Sequence, residues 1–404
     1  MRTLMRYKGW CLGGLALVIA IPLAVGCFGG SKKARRYKKS EMQQRLREFE
    51  TPGLVIGEFP LAKNAIVDGD TIKVAGMKTT LRLNHIDSEE TFKSDSDLRL
   101  FEAGFEEYLK KKRGDRKKPV KAATPLGELA KDWAKDFFKD AEIVRLERDH
   151  PKEIRGRFNR YLAYVFVRKK GHWINYNIEH VRAGMSPYFS KYSYSRRFHE
   201  QFVQAQKEAQ QAKIGIWDPK LQHYRDYPER LDWWNSRADF IKAFEKDAEG
   251  KDNYIILTNW DSLSRLEKYL DKEVVLLGLV GTIKLGDKGP TKVLLGRRMF
   301  SDFPLIFFDK DVFGSSGIAR FKGEFVRVTG RVKKYHNKYK NQDELQIVVN
   351  MPGQIVGSES APDYSGWDTD GPDPETEAEQ IEMDNPQPVK ETQPAQEKES
   401  NHAK

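Results

Sequence analysis

The sequence predicts an α+β protein: a small β-barrel carrying three helices, then a helical connection and a second strand-rich unit. Three observations lead there. Between residues 54 and 218 the order of patterns is strands, one helix, strands, then two helices, as in a small barrel. Residues 219–270 read as helical, with Trp233 and Trp234 inside. From Glu273 to about Val356 some five short apolar runs recur, the habit of a second all-β unit. A length of 404 residues suits two folded units plus tails.

The N-terminus comes first. Arg2, Arg6 and Lys8 precede an apolar run from Gly9 to Phe28, a basic region followed by a hydrophobic one about as long as a bilayer is thick. The run ends Leu23-Ala24-Val25-Gly26-Cys27, similar to a bacterial lipobox in which Cys27 is acylated, with Ala24 where that pattern prefers Leu. A lipoprotein, an uncleaved signal anchor and a plain signal peptide all remain open for residues 1–30, and each implies export or membrane attachment. The basic cluster Lys32, Lys33, Arg35, Arg36, Lys38 and Lys39 would favour a cytoplasmic C-terminal side for an uncleaved anchor. Residues 31–53 read as a basic tether.

The first domain, 54–218, opens with strands broken at Val67-Asp68-Gly69-Asp70, where Asp-Gly signals a hairpin. Ile72, Val74, Leu81 and Leu83 alternate with other residues as half-buried strands do. Thr124-Pro125 supplies an N-cap and a first-turn proline, and Leu126, Leu129, Trp133, Phe137 and Phe138 follow at helical spacing. Strands are predicted over Ile143 to Leu146 and Leu162 to Val167, then a short helix over Asn177 to Ala183. A longer helix over Arg196 to Lys213 has Phe198, Phe202, Ala205 and Ala209 on its apolar face, and Gly215 closes it. In the second unit, 271–357, the runs are Val274 to Val280, Val293 to Leu295, Leu305 to Phe308, Phe325 to Val332 and Leu345 to Val349. Residues 358–404, rich in Pro, Asp, Glu, Gln and Ser, lack the apolar content for a core.

Charge narrows the partners. The chain carries +11, but from Ser358 onward 13 acidic and 3 basic residues give −10, leaving +21 on everything before. A body that basic favours polyanions. The two cysteines, Cys11 and Cys27, both lie near the N-terminus, so the body can form neither a disulfide nor a cysteine-ligated zinc site. A metal site there must use carboxylates, carbonyls or histidines, which suits hard ions such as Ca²⁺ or Mg²⁺.

The candidate chemistry is a set of carboxylates mixed with arginines. Asp68 and Asp70 flank a turn glycine, and Asp87 and Glu90 lie in Arg82-Leu83-Asn84-His85-Ile86-Asp87-Ser88-Glu89-Glu90-Thr91. Hard cations need several oxygens. Phosphodiester hydrolysis needs a base for water and cations for the developing charge, and guanidinium matches phosphate oxygens bidentately. Spacing alone leaves an ordinary hairpin turn and solvated loop acids open. Arg82 and Asp87, five apart, would face opposite ways on a straight strand, so the chain must bend near Asp87.

Val67-Asp68-Gly69-Asp70-Thr71 resembles the metal-binding signature of the staphylococcal nuclease (thermonuclease) family. Leu81-Arg82-Leu83 through Ile86-Asp87-Ser88-Glu89-Glu90-Thr91 resembles its arginine-and-carboxylate segment. Phe158-Asn159-Arg160-Tyr161-Leu162-Ala163-Tyr164 is similar to its second arginine strand, and Ala212-Lys213-Ile214-Gly215-Ile216-Trp217 to its last helix and tryptophan. The resemblance implies an OB barrel with three helices and a nuclease giving 3′-phosphate products from DNA and RNA with little sequence preference. It implies Ca²⁺ as cofactor, held by Asp70, Asp87 and the Ser88 carbonyl, with Asp68 as a supporting carboxylate behind them. It implies Glu90 as general base, Arg82 on the phosphate and the transition state, and Arg160 likewise, near the leaving oxygen. Several positions depart from the family. Ser88 stands for threonine. Glu89 stands for proline, adding charge and loosening the loop. Asn159 and Tyr161 stand for glycines, and Phe158 for a tyrosine. A noncatalytic nucleic-acid-binding or scaffolding protein on the same fold is the alternative.

Residues 92–123 are longer than the family's loop and strongly basic, with Lys110, Lys111, Lys112 and Arg113 and then Arg116, Lys117 and Lys118. They are expected beside the carboxylates, as a phosphate-tracking clamp or a solvated insertion. Tyr188, Tyr192 and Tyr194 lie where the family stacks bases, though surface or core tyrosines fit the same pattern. The second unit resembles another OB-like barrel, and Lys333, Lys334, Tyr335, Lys338, Tyr339 and Lys340 mix basic and aromatic residues in its loop. Trp233 and Trp234 read as docking core between the units. His85 is expected to line its strand, and no histidine is assigned a role. The acidic tail reads as solubilising, as a weak Ca²⁺ reservoir, or as a nucleic-acid mimic. DNA or RNA and the membrane are the expected partners; no protein partner is predicted.

Overall fold

The computed structural model describes residues 47–156, 160–296, 302–338 and 341–359. The N-terminal apolar segment with Cys27, most of the basic tether, Phe158, Asn159, Tyr339, Lys340 and nearly all of the acidic tail lie outside the described residues. Among the described residues no helix is long and apolar enough to cross a membrane.

The first barrel is built from β1 (Val55–Ile66), β2 (Thr71–Val74), β3 (Leu81–Leu83), β4 (Ile143–Glu147) and β5 (Tyr161–Lys169), with β6 (His172–Asn175) as a hairpin extension. Strands β1, β2 and β3 form an antiparallel meander, and β4 joins the far edge of β1. Strand β5 pairs antiparallel with β4 and parallel with β3, which closes the ring in the order β1-β2-β3-β5-β4. Closure removes the free edges a small sheet would otherwise expose. Ile72, Val74, Leu81, Leu83, Val144, Leu146, Ala163 and Val165 fill its core. The predicted bend is at His85, whose φ of 60° turns the chain just beyond β3.

Two helices fill the basic insertion: α1 (Asp95–Ala103) and α2 (Phe105–Arg113). No helix is predicted for this stretch from sequence. Its apolar residues Phe105 and Tyr108 pack with Leu126, Ile216, Tyr224 and Tyr227 in a small core of their own. Helix α3 (Pro125–Phe138) starts as predicted, with Thr124 Oγ1 accepting from Gly127 N at 3.1 Å. Its buried stripe is Leu126, Ala130, Ala134 and Phe138 at i,i+4 spacing, while Leu129, expected on that face, is 44% exposed. Helices α4 (Tyr176–Arg182) and α5 (His199–Ala212) follow.

Helix α6 (Tyr227–Asp247) buries residues around much of its circumference, including Arg230, Trp233, Trp234, Arg237, Ile241 and Phe244. That fits a helix with folded structure on both sides. After it, β7 (Tyr254–Ile256) joins the second sheet through β8, so the stretch read as a helical linker already contains a strand of the second unit. The second ring uses β8 (Glu273–Lys284), β9 (Thr291–Gly296), β10 (Phe303–Phe307), β11 (Phe325–Asn337) and β12 (Gln342–Val348). Its order is β8-β9-β10-β12-β11, closed by β11 on β8, with β10 and β12 parallel. This repeats the connectivity of the first barrel strand for strand. The two barrels are held by a buried polar cluster. Glu324, 1% exposed, accepts from Trp233 Nε1 at 2.9 Å and lies 3.2 Å from Arg237 Nη1 and 3.4 Å from Lys118 Nζ. The docking role expected of Trp233 is thus what the structure shows.

Candidate active site

Register places the site. Thr71 pairs with Arg82 across β2 and β3, which sets Asp70 beside Arg82. Leu81 pairs with Tyr161 across β3 and β5, which sets Arg160, the residue before β5, on the same side. Arg82 forms an ion pair through Nη1 with Asp70 Oδ2 and through Nη2 with Asp87 Oδ1 at 2.5 Å. Arg82, Asp87 and Arg160 line one cleft.

The acids are held by a dense set of hydrogen bonds. Asp68 Oδ1 accepts from Asp70 N at 3.0 Å. Asp70 Oδ2 accepts from Ser88 N at 3.0 Å, and Asp87 N donates to Ser186 Oγ at 2.7 Å. Ser88 Oγ is 2.8 Å from His180 Nε2. The Tyr176 hydroxyl donates to the Gly69 carbonyl at 2.6 Å, so it accepts from His180 Nδ1 at 3.0 Å, which leaves Nε2 to accept from Ser88. Burial holds the His180 imidazole down to about 3, consistent with that neutral tautomer. Gly69 is required here, because a β-carbon on it would collide with the Ser88 hydroxyl. Nothing in the spacing of His180 points at Ser88, so pattern alone gives it no role.

Glu90 sits on a loop strapped to α3. Its carbonyl accepts from Thr124 N at 3.0 Å, and Phe92 N donates to Glu128 Oε1 at 2.8 Å. Gly127 lets the helix approach, because a β-carbon there would collide with the Glu90 carbonyl. Glu89 does not loosen this loop, contrary to expectation. Only 1% exposed, it accepts from Tyr224 N at 2.8 Å, from Tyr227 OH at 2.7 Å and from Thr124 Oγ1. Burial raises its carboxyl to about 7, against the opposing pull of those donors. The side chain that replaces proline has become an anchor to the start of α6.

Lys121 was not foreseen. It lies at the C-terminal end of the basic insertion, with Nζ 2.9 Å from Asp87 Oδ1 and 3.5 Å from Glu90 Oε1, and it is only 12% exposed. Burial works against its charge, but Asp87 and Glu90 outweigh that and keep the ammonium protonated well above its ordinary range. Burial likewise works against the Asp70 and Asp87 carboxylates. Arg82 and Lys121 overcome it and hold both below the usual range. The signal for Lys121 was only that it closes a basic stretch. Lys111 and Lys112, named instead, stand elsewhere. Lys112 pairs with Asp97 at 2.8 Å, Lys111 borders a separate hollow with Leu100 and Gly114, and neither lines the cleft.

Tyr188 also moves out of the substrate set. It is 5% exposed, stacks on Phe202 at 4.8 Å, and its hydroxyl accepts from Ser195 N at 2.7 Å, so it belongs to the core. Tyr192 is 46% exposed and lines the cleft with Phe189.

A profile of the staphylococcal nuclease homologue family matches residues 80–219, from just before β3 to just past α5. A thermonuclease of Staphylococcus hyicus is 30% identical over 154 residues, 38% of this chain and 72% of that protein. The chain belongs to the staphylococcal nuclease family. A thermonuclease of Staphylococcus intermedius is 26% identical over 204 residues, half of this chain and 95% of its own length. An uncharacterised protein of Methanocaldococcus jannaschii is 27% identical over 156 residues, 38% of this chain and 69% of its own length. The nuclease-family match thus falls on the first barrel, where the carboxylates and arginines converge. The donor chemistry there fits a hard cation. Asp70 Oδ2 and Asp87 Oδ1 both meet the one Arg82 guanidinium, so two buried carboxylates approach a common point. Among the described residues no group of three histidine, cysteine or acidic side chains gathers at one point, so carbonyls and water would complete the shell.

Proposed function

We propose that this chain is a Ca²⁺-dependent phosphodiesterase that hydrolyses DNA, RNA or both with little sequence preference and leaves 3′-phosphate products. The observation that carries the reading is the convergence of Asp70, Arg82 and Asp87, with Glu90 joined through Lys121 and Arg160 lining the same cleft. Asp70, Asp87 and the Ser88 carbonyl would hold the ion, which supplies Lewis-acid stabilisation of phosphoryl charge and a lowered pKa for bound water. Glu90 takes the proton of the attacking water. Arg82 and Arg160 bind the phosphate and meet the charge that grows on its oxygens. His180 and Asp68 keep the donors in place. The apolar N-terminal segment supports export with attachment to a membrane, through an acylated Cys27 or a signal anchor. A palmitate-analogue label carried by the wild type and lost in Cys27→Ala would establish the first.

One observation favours a second reading, a nucleic-acid-binding protein without hydrolysis: Lys121 already supplies Asp87 and Glu90 with an internal cation. One assay separates the two. The full-length chain, incubated with single-stranded DNA and Ca²⁺, degrades it, and EGTA stops the reaction. Glu90→Gln keeps binding but loses about 10²- to 10⁴-fold in rate, the usual worth of a general base. Binding without cleavage by the wild type supports the second reading, and undiminished cleavage by Glu90→Gln removes the assignment of the base.

A further inference from the structure

The cleft that holds Arg82 and Arg160 does not belong to the first barrel alone. Its cavity measures about 170 Å³. Its lining gathers four guanidinium groups, Arg155 and Arg196 joining Arg82 and Arg160, with the Asp87 and Glu153 carboxylates among them. The same lining includes residues of the second unit: Thr258 just after β7, Leu279 of β8 and Phe325 of β11. We infer that this face of the second barrel is a nucleotide-binding wall, so that a bound strand runs between the two barrels with its phosphates toward the arginines and its bases toward Thr258, Leu279 and Phe325.

Two features make this wall a built one. It is held at fixed distance by contacts immediately next to it in sequence. Trp260 N donates to the Lys152 carbonyl at 3.0 Å, and Lys152 Nζ pairs with Asp261 Oδ2 at 2.7 Å, beside Thr258. Glu324, buried against Trp233 and Arg237, precedes Phe325. The chemistry is also two-sided. Leu279 and Phe325 are apolar but only 7% and 6% exposed, packed under α6 with Ile241 and Phe244, so half-buried Thr258 presents most of this surface. A base rests against it, and a phosphate meets the arginine side. The wall is continuous with the catalytic site, so the occupant is the strand being cut; this rests on the nuclease reading above.

The test is strand binding in EGTA, where no turnover occurs. The probe is a fluorescein-labelled single-stranded oligothymidylate about ten nucleotides long, within the span OB-type grooves cover. Thr258 is half-buried in the cleft lining. Thr258→Glu sets a carboxylate in the same lining as the arginines and weakens binding at least about tenfold, because like charge against a phosphate strand costs more than a kcal/mol. Thr258→Arg tightens it. Met351→Glu, at a 65% exposed position that does not line the cleft, makes the same change in net charge and shifts binding less than about twofold by screening. Opposite effects of the two Thr258 variants exclude simple misfolding as their cause. If Thr258→Glu and Met351→Glu act alike while the wild type binds the probe and cleaves it with Ca²⁺, the wall is refuted and the nuclease reading stands. If the wild type neither binds nor cleaves the probe, both fall together.

Discussion

Replacing Lys121 by methionine removes a buried ammonium from the carboxylates that would hold Ca²⁺, and the consequence has a sign and a size. Lys121 Nζ is 2.9 Å from Asp87 Oδ1. A cation bonded to that same oxygen at about 2.4 Å lies no more than about 5.3 Å from the ammonium. Charges of +1 and +2 at that distance repel by about 1.6 kcal/mol in a water-like dielectric and about 6 kcal/mol at an effective dielectric of 20. The lower figure applies if the lysine swings toward solvent when the ion arrives, and it already corresponds to more than tenfold in affinity. Lys121→Met therefore binds Ca²⁺ at least about tenfold more tightly than the wild type. In EGTA the same variant is less stable by about 3 kcal/mol, since buried carboxylates lose one of their two cations and only Arg82 remains. The assay is calorimetric titration with CaCl₂ in the absence of nucleic acid, paired with thermal unfolding in EGTA and in Ca²⁺. Lys112→Met is the control, because it makes the same change in charge at a lysine paired with Asp97 away from the cleft. Equal or weaker Ca²⁺ binding by Lys121→Met would refute the competition between lysine and metal.

Three further outcomes follow from the same geometry. Gly127→Ala should push the Glu90 carbonyl off the start of α3 and cut hydrolysis by about tenfold or more while KM changes little, because a small misplacement of a base costs rate before binding; unchanged turnover would mean that the loop adjusts freely. Glu89 has its folded pKa raised to about 7, so its charge opposes folding increasingly as pH rises from the unfolded value near 4.5 to about 7, and the penalty is constant above that. Glu89→Gln should accordingly match the wild type at pH 5 and exceed it by about 2–3 kcal/mol at pH 8 in urea unfolding with EGTA present, and a gap independent of pH would contradict the raised value. Glu324→Gln strands Arg237, itself 3% exposed, without its anion, and should lower stability by about 3–5 kcal/mol in guanidinium unfolding; a loss under about 0.5 kcal/mol would show that the barrels dock without that cluster.

Much of this protein was legible in local pattern. The Asp-Gly turn before β2, the Thr124 cap with Pro125, the helices after β6 and the apolar runs of both barrels each depend on neighbours in sequence, and the sequence states those directly. Two kinds of feature were not. Leu129 stands at helical spacing yet faces outward, because the small residues Ala130 and Ala134 let α3 pack closely along a different stripe. Tyr188 matches a substrate-binding position by pattern but turns into the core against Phe202. Facing direction is set by what packs opposite, which spacing cannot report.

The sequence by itself determined the chemistry available: hard oxygen donors, paired arginines, a body without cysteine and a net charge suited to polyanions. Tertiary structure decided which of those groups meet. The parallel pairing of β3 and β5 brings Arg82 and Arg160 to one side, although 78 positions separate them. The insertion that reads as a cloud of lysines delivers one of them, Lys121, into the acids and sends Lys111 and Lys112 elsewhere. Part of the cleft lining comes from a barrel whose own sequence holds no catalytic signature. The reason is physical. Residue type fixes charge, softness and hydrogen-bonding capacity one position at a time. Proximity across a closed barrel depends on register and packing between segments far apart in the chain.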